Sequence, residues 1–390
     1  MYTSYTEKME DALWLKWAEF DPDDEYASAI DFLNSDCGFR TFGEGLVALM
    51  QKKDPSMDTD KAIAHLSIQC KKNGIELNEI GSTNTLKSWF KGGPRPKKGE
   101  DSRDSMFALA FALDFTPEET AELFHKVYLD RAFNYRNERE LVYYFCLSNR
   151  KSFADAKRII DSIEYDTQTS EATLYTSAIK SDVDKLSSES ELLSYIKTHH
   201  HNMEQNNVTA KKHLERLIEE AKKYAMLEAE LPEHDGQFDG AWKKDDTVSI
   251  NFMYSLITDT TPSGKKGTTT VFKSARLPKE IKNRFPEAIS FSEKEPTYES
   301  MRKMIIMLFS YTFWYNVQFP KASAPKFDEV DYREQMNALL YECGFSTLYD
   351  GNPYDWLFLF CTWSCTQEND DYHRPLDVFR SIIADVLSVE

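Results

Sequence analysis

Apolar positions recur with a helical period from residue 42 to about residue 128, and capping signals divide this stretch into segments. Asn73-Gly74 and Gly92-Gly93 supply the glycine that commonly ends a helix. Thr116-Pro117-Glu118-Glu119 places Thr at the N-cap, Pro at the first helical position and Glu at the third, which is a typical helix start. The pattern predicts helices over 42–52, 60–72, 82–91, 104–113 and 116–128.

The same period continues to about residue 230, fades, and returns near residue 298. In the intervening stretch, two β-rich segments at 247–252 and 268–273 flank a Pro- and Gly-containing turn and predict a small hairpin. We therefore expect a mainly α fold with a β-hairpin insertion. The predicted organisation is an acidic helical arm at 1–37, a five-helix helix-turn-helix domain at 38–130, a helical domain at 131–231, an irregular or hairpin insertion at 232–298, and a C-terminal helical domain at 299–390.

Charge and composition limit the classes of function. The net charge of −18 would repel a polyanion if it were spread evenly, so any nucleic-acid surface must be a local basic island. Apart from Cys361 and Cys365, the six cysteines lie far apart, and they indicate reduced thiols. The first residues lack the apolar stretch of a signal peptide, and the most apolar run, 304–314, is shorter than the roughly 20 residues that span a bilayer. We expect a cytoplasmic protein that does not act in a membrane.

A basic island does occur around the third predicted helix. Between Ser82 and Arg103, six cations (Lys87, Lys91, Arg95, Lys97, Lys98 and Arg103) oppose two anions (Glu100 and Asp101), which leaves a local charge of +4. Lysine and arginine side chains supply phosphate contacts, so the loop from Arg95 to Lys98 is the candidate backbone clamp. The candidates for base edges are the polar residues of the helix: Ser82, Asn84, Thr85, Lys87 and Ser88.

Trp89, Gly92 and Pro96, with the apolar helix that follows, resemble the recognition helix and loop of the Cro/repressor-type helix-turn-helix family. The resemblance covers roughly 90 of the 390 residues and implies contact with double-stranded DNA. The chain departs from the family pattern before the third helix, where 75–81 lengthens the connection and the usual tight turn is missing.

On this resemblance we expect a DNA-binding transcriptional regulator. Its C-terminal helical region would assemble the chain, for instance as a homodimer, or sense a protein partner through its aromatic residues. The alternative is a non-enzymatic protein-interaction component of a mobile element or of a defence or anti-defence system, with a repurposed helix-turn-helix. The chain as a whole is similar in style to largely helical proteins of Gram-positive gut bacteria, through its stretches 131–147 and 343–360.

Other motifs point to no chemistry. Three consecutive histidines at 199–201 diverge on a helix, so they cannot all bind one metal ion. The segment that begins at Ser263 has the composition but not the order of a phosphate loop. Asp355, near Tyr349 and His373, is a candidate acid or base but is better explained as a helix cap. We expect no catalytic residues, no metal and no cofactor, and therefore no enzyme.

Overall fold

The computed structural model describes residues 28–29, 31–32, 39–96, 99–164, 176–204, 208–229, 298–318, 329–364, 375–379 and 382. Helix accounts for 74% of this part of the chain and no strand occurs in it, which confirms a mainly α protein. The predicted hairpin insertion lies outside the described residues, except that Tyr298 begins a helix. Most of the predicted arm at 1–37 also lies outside them.

The described residues fall into two compact units. The first comprises residues 40–204. The second comprises the described residues of 208–382 together with residues 28–29, 31–32 and 39. The helices of the first unit are α1 Phe42–Gln51, α2 Thr59–Lys72, α3 Leu77–Ile80, α4 Thr83–Phe90, α5 Glu100–Ala112, α6 Pro117–Glu122, α7 Glu138–Ser148, α8 Phe153–Asp161, α9 Thr176–Val183 and α10 Glu189–Glu204. The helices of the second unit are α11 Val208–Ala229, α12 Tyr298–Gln318, α13 Glu329–Glu342 and α14 Pro353–Ser364.

Local capping chemistry sets the helix ends where the sequence indicated it. The Thr116 hydroxyl accepts from the Glu119 amide at 3.2 Å, and the Glu119 carboxylate accepts from the Thr116 amide at 2.8 Å. Gly74 is left-handed at φ +66°, and the amide of Ile75 donates to the Cys70 carbonyl at 2.9 Å. Both predicted boundaries are therefore confirmed.

Four helical features differ from the predicted pattern. A one-turn helix, α3, occupies part of the connection expected to be non-helical, and α9 was not predicted. Helix α5 begins at Glu100 rather than Asp104, since Gly99 precedes it and acidic residues in a first turn interact favourably with the helix dipole. After α6 the chain continues as a π-helical turn, Leu123–Tyr128, and ends at left-handed Leu129.

One hydrophobic core runs through the first unit, from Phe42 to Ile196. Its centre is aromatic: the ring of Phe107 lies 4.7 Å from that of Phe124 and 4.7 Å from that of Tyr143, measured between centroids. Because Tyr143 belongs to α7, this core includes α7 as well as the helices before residue 128.

The second unit has its own aromatic core around Trp314 and Trp356. Within it, Arg302 donates two hydrogen bonds, of 2.9 and 2.8 Å, to the carboxylate of the fully buried Asp355. Burial opposes the charge on Arg302, but the Asp355 carboxylate outweighs this effect and raises the pKa of Arg302 above its usual value. Asp355 also accepts the amide of Tyr349 at 3.0 Å. The interpretation of Asp355 as the cap of its helix is wrong: Asn352 precedes the helix and accepts the amide of Tyr354 at 3.1 Å.

Candidate nucleic-acid interface

Helix α4 is held on the first unit by three buried side chains. Leu86, Trp89 and Phe90 are 0%, 5% and 7% exposed, and the rings of Phe42 and Trp89 lie 4.7 Å apart. Gly43 permits this approach, because a Cβ built at that position would lie 2.3 Å from the carbonyl oxygen of Trp89. The orientation of α4 is thus fixed by packing on one side, which leaves its other side to solvent.

The solvent side of α4 is polar and carries charge of one sign. Asn84, Lys87, Ser88 and Lys91 are all exposed. Their spacing of three, four and seven residues places them on one helical face, opposite the buried anchors. These four predicted contact residues are therefore brought together in one stripe.

Two other predicted contact residues take part in the start of the helix. Ser82 is the N-cap, and its hydroxyl accepts from the amide of Thr85 at 3.2 Å. The hydroxyls of Ser82 and Thr85 lie 2.8 Å apart, in hydrogen-bonding distance. Both side chains are exposed, but their hydroxyls already serve the first turn of α4.

The predicted Gly-Gly stop ends α4 through two hydrogen bonds. Gly92 is left-handed at φ +78°, and its amide donates to the Trp89 carbonyl at 3.2 Å. The amide of Gly93 donates to the Ser88 carbonyl at 2.7 Å, and a Cβ at Gly93 would lie 2.6 Å from that same oxygen. Glycine is required at both positions for different reasons, namely conformation at the first and space at the second.

Arg95 follows this stop and points back toward the protein. It is half-buried between Pro94 and Pro96, and its Nε donates to the carbonyl of Val127 at 3.1 Å. Its Nη2 donates to the carbonyl of Arg40. Lys97 and Lys98, the other cations of the predicted clamp, lie outside the described residues.

Arg103 is removed from the surface. It is 7% exposed, and Glu140 accepts from its Nε and Nη2 at 2.7 and 2.8 Å, while Asp130 accepts from its Nη1 at 2.9 Å. Burial opposes the charge, but the two carboxylates outweigh it and raise the pKa of Arg103 above its usual value. A guanidinium held in this way cannot contact a ligand, so Arg103 does not belong to the stripe on α4.

Fewer cations are therefore available to a ligand in this region than the local charge of +4 suggests. Among the described residues of 82–103, Lys87 and Lys91 remain as exposed cations. Glu79, just before α4, forms an ion pair with Lys157, which offsets the nearest carboxylate on the N-terminal side. The exposed face of α4 carries no acidic residue.

Helix α3 is the main feature that the sequence reading missed. Only Gly81 and Ser82 separate it from α4, so two short helices are joined by a two-residue connection where a longer non-helical segment was expected. A signal was present, because Glu79 stands three residues after Glu76 and its carboxylate accepts the Glu76 amide at 3.1 Å.

The other described features of the first unit offer no comparable site. A cleft of about 780 Å³ lies among the ends of α2, α5, α6, α7 and α8. Its exposed charged residues are of both signs: Lys53, Lys72 and Arg150 are cationic, and Asp114 and Glu118 are anionic. Within the described residues, no group of three His, Cys, Asp or Glu side chains is arranged to hold a metal ion. Nδ1 of His200 instead lies 2.5 Å from the Glu138 carboxylate.

No helix in the described ranges combines the length and the apolar character needed to cross a membrane. Comparison of the chain with protein-family models, with curated proteins and with solved structures gave no match.

Proposed function

We propose that this protein binds double-stranded DNA through the exposed face of α4 and acts as a transcriptional regulator. The observation that carries the proposal is the stripe of Asn84, Lys87, Ser88 and Lys91, which stands opposite three buried anchors on a helix fixed by packing. An α-helix presented in this way fits the width of a DNA major groove.

The residue types of the stripe suit two kinds of contact. Amide and hydroxyl side chains such as Asn84 and Ser88 can exchange hydrogen bonds with base edges. Lys87 and Lys91 can neutralise phosphates, and each such contact releases counterions. The one-turn helix α3, which lies two residues before α4, supports a helix-turn-helix arrangement, in which the first helix of the pair crosses the DNA backbone.

Arg95 and Arg103 are left out of the direct contacts in this proposal because their guanidinium groups serve other partners. Lys97 and Lys98 remain candidate phosphate contacts on the sequence argument alone. The second unit, with its own aromatic core, is proposed to assemble the chain or to sense a partner.

The first prediction concerns Lys87 and Lys91. The double variant Lys87→Glu/Lys91→Glu should lose most of its affinity for a labelled mixed-sequence DNA duplex, because it replaces two phosphate contacts by repulsion. The plot of log K against log salt should become shallower by about one unit for each lost contact. Fluorescence anisotropy over a KCl series measures both quantities.

The matched control is Lys212→Glu/Arg216→Glu, which changes the net charge equally at two exposed positions of α11 in the second unit. It should bind like the wild type. If the unaltered protein binds no duplex even at low salt, DNA binding is wrong. A protein partner that co-purifies equally with the wild type and with the Lys87→Glu/Lys91→Glu variant would instead favour the alternative, a protein-interaction component.

A further inference from the structure

We infer that Arg95 is a positioning residue of the interface and does not itself contact phosphate. The inference rests on the proposed DNA-binding function and deepens it, because it separates the cations of the basic loop into those that bind and one that holds the loop in place. The sequence alone assigned Arg95 to the phosphate clamp.

The two described hydrogen bonds of Arg95 go to main-chain carbonyls of different segments. Arg40 directly precedes the N-cap of α1, and Val127 lies in the turn that continues α6. The loop after α4 is thereby fastened to the beginning of one helix and to the end of another, over sequence separations of 55 and 32 residues. A side chain turned inward to these carbonyls is directed away from a ligand on the exposed face.

The residues around Arg95 also restrict the conformation of the loop. Gly92 and Gly93 fix the exit of the chain from α4 by hydrogen bonds, and Pro94 and Pro96 each fix one backbone dihedral. Arginine suits the remaining task because its planar group presents several N–H donors at fixed angles, so one side chain can serve two acceptors. Lysine keeps the charge but has no such planar fork, and glutamine has neither the charge nor the reach.

The test compares Arg95→Lys with Arg95→Gln in the full-length protein, with a labelled mixed-sequence DNA duplex as the probe. If Arg95 positions the loop, both variants lose the bridge between the two carbonyls. They should then bind about tenfold more weakly than the wild type, and the two variants should have the same affinity and the same salt slope as each other. If Arg95 were a phosphate contact, Arg95→Lys would bind nearly like the wild type while Arg95→Gln would lose affinity and about one unit of salt slope.

A second measurement keeps the inference testable if DNA binding fails or if a variant is unstable. Hydrogen exchange monitored by mass spectrometry should show faster exchange of peptides covering residues 92–96 and 124–130 in both variants, at a temperature where helicity is retained. Lys91→Gln is the control: it should reduce the salt slope without changing the exchange of those peptides. Exchange like that of the wild type in both Arg95 variants, or wild-type binding by Arg95→Lys alone, would overturn the inference. A wild type that binds no duplex but shows the exchange effect would reject the proposed function and leave the tether in place.

Discussion

At the scale of single residues, the surroundings of an arginine decide what it can do. Arg95 and Arg103 are eight positions apart and both belong to the basic count of the sequence, yet one bridges two carbonyls and the other lies 7% exposed between two carboxylates. Lys87 and Lys91 project from the same region into solvent. The residue type predicts a charge, and only the packing around it determines whether that charge is offered to a partner.

Arg150 gives the prediction at this scale. It is exposed, it follows the end of α7, and it is left-handed at φ +53°, a conformation that costs most side chains about 1–2 kcal/mol. Arg150→Gly should therefore have a free energy of unfolding about 1 kcal/mol higher than that of Arg150→Ala, as measured by urea denaturation.

The exposed middle of α2 provides the opposite case. There, Ala64→Gly should lower the free energy of unfolding by about 1 kcal/mol, since glycine is disfavoured within a helix. Equal free energies of unfolding for Arg150→Ala and Arg150→Gly would show that the left-handed conformation of residue 150 does not affect stability.

At the scale of helices, the sequence predicts what local chemistry controls. The ends at Gly74, Gly92 and Thr116 could be predicted because each signal lies within a few residues of the helix it ends or begins. Helix α3 could not be found by periodicity, since four residues are too few to show a period. Its cap signal involves only Glu76 and Glu79 and was the single available clue.

Pairing between helices could not be predicted from the sequence in the same way. Glu140 is 37 residues from Arg103, and nothing in the local pattern of α5 indicates which of the many later acids will meet it. The candidate site shows the same limit. The polar stripe of α4 followed from helical geometry, whereas the inward course of Arg95 depends on Arg40 and Val127, which are distant in the sequence.

The ion network of Arg103 gives the prediction at this scale. Arg103→Met should lower the free energy of unfolding by about 3–5 kcal/mol, because the buried carboxylate of Glu140 would lose its cation and Asp130 would lose an ion pair. Arg158→Met is the control: its ion pairs with Asp155 and Glu189 lie at the surface, so its loss should lower the free energy of unfolding far less. Urea unfolding followed by circular dichroism measures both, and equal losses would show that the buried network contributes nothing special.

At the scale of the whole molecule, the core of the first unit runs, among the described residues, from Phe42 to Ile196. A fragment of residues 40–206 should therefore fold alone, with a helical circular dichroism spectrum and a cooperative thermal transition. A fragment of residues 40–136 should not, because it lacks Glu140, the partner of Arg103, and the aromatic rings of Tyr143 and Phe153. Cooperative folding of the shorter fragment would support the predicted domain boundary near residue 130; failure of the longer one would show that the two units depend on each other.

The order of segments along the chain also has a consequence for synthesis. The second unit takes core residues from before the first unit, including Ala29, and from after it, as far as Ile382. As a ribosome makes the chain from its N-terminus, the whole core of the first unit is complete while the later part of the second has still to be made. The first unit can thus fold during translation, whereas Ala29, Phe32 and Phe39 must wait for partners such as Trp356 that are added more than three hundred residues later. The early aromatic residues are therefore a surface that a nascent chain exposes for most of its synthesis.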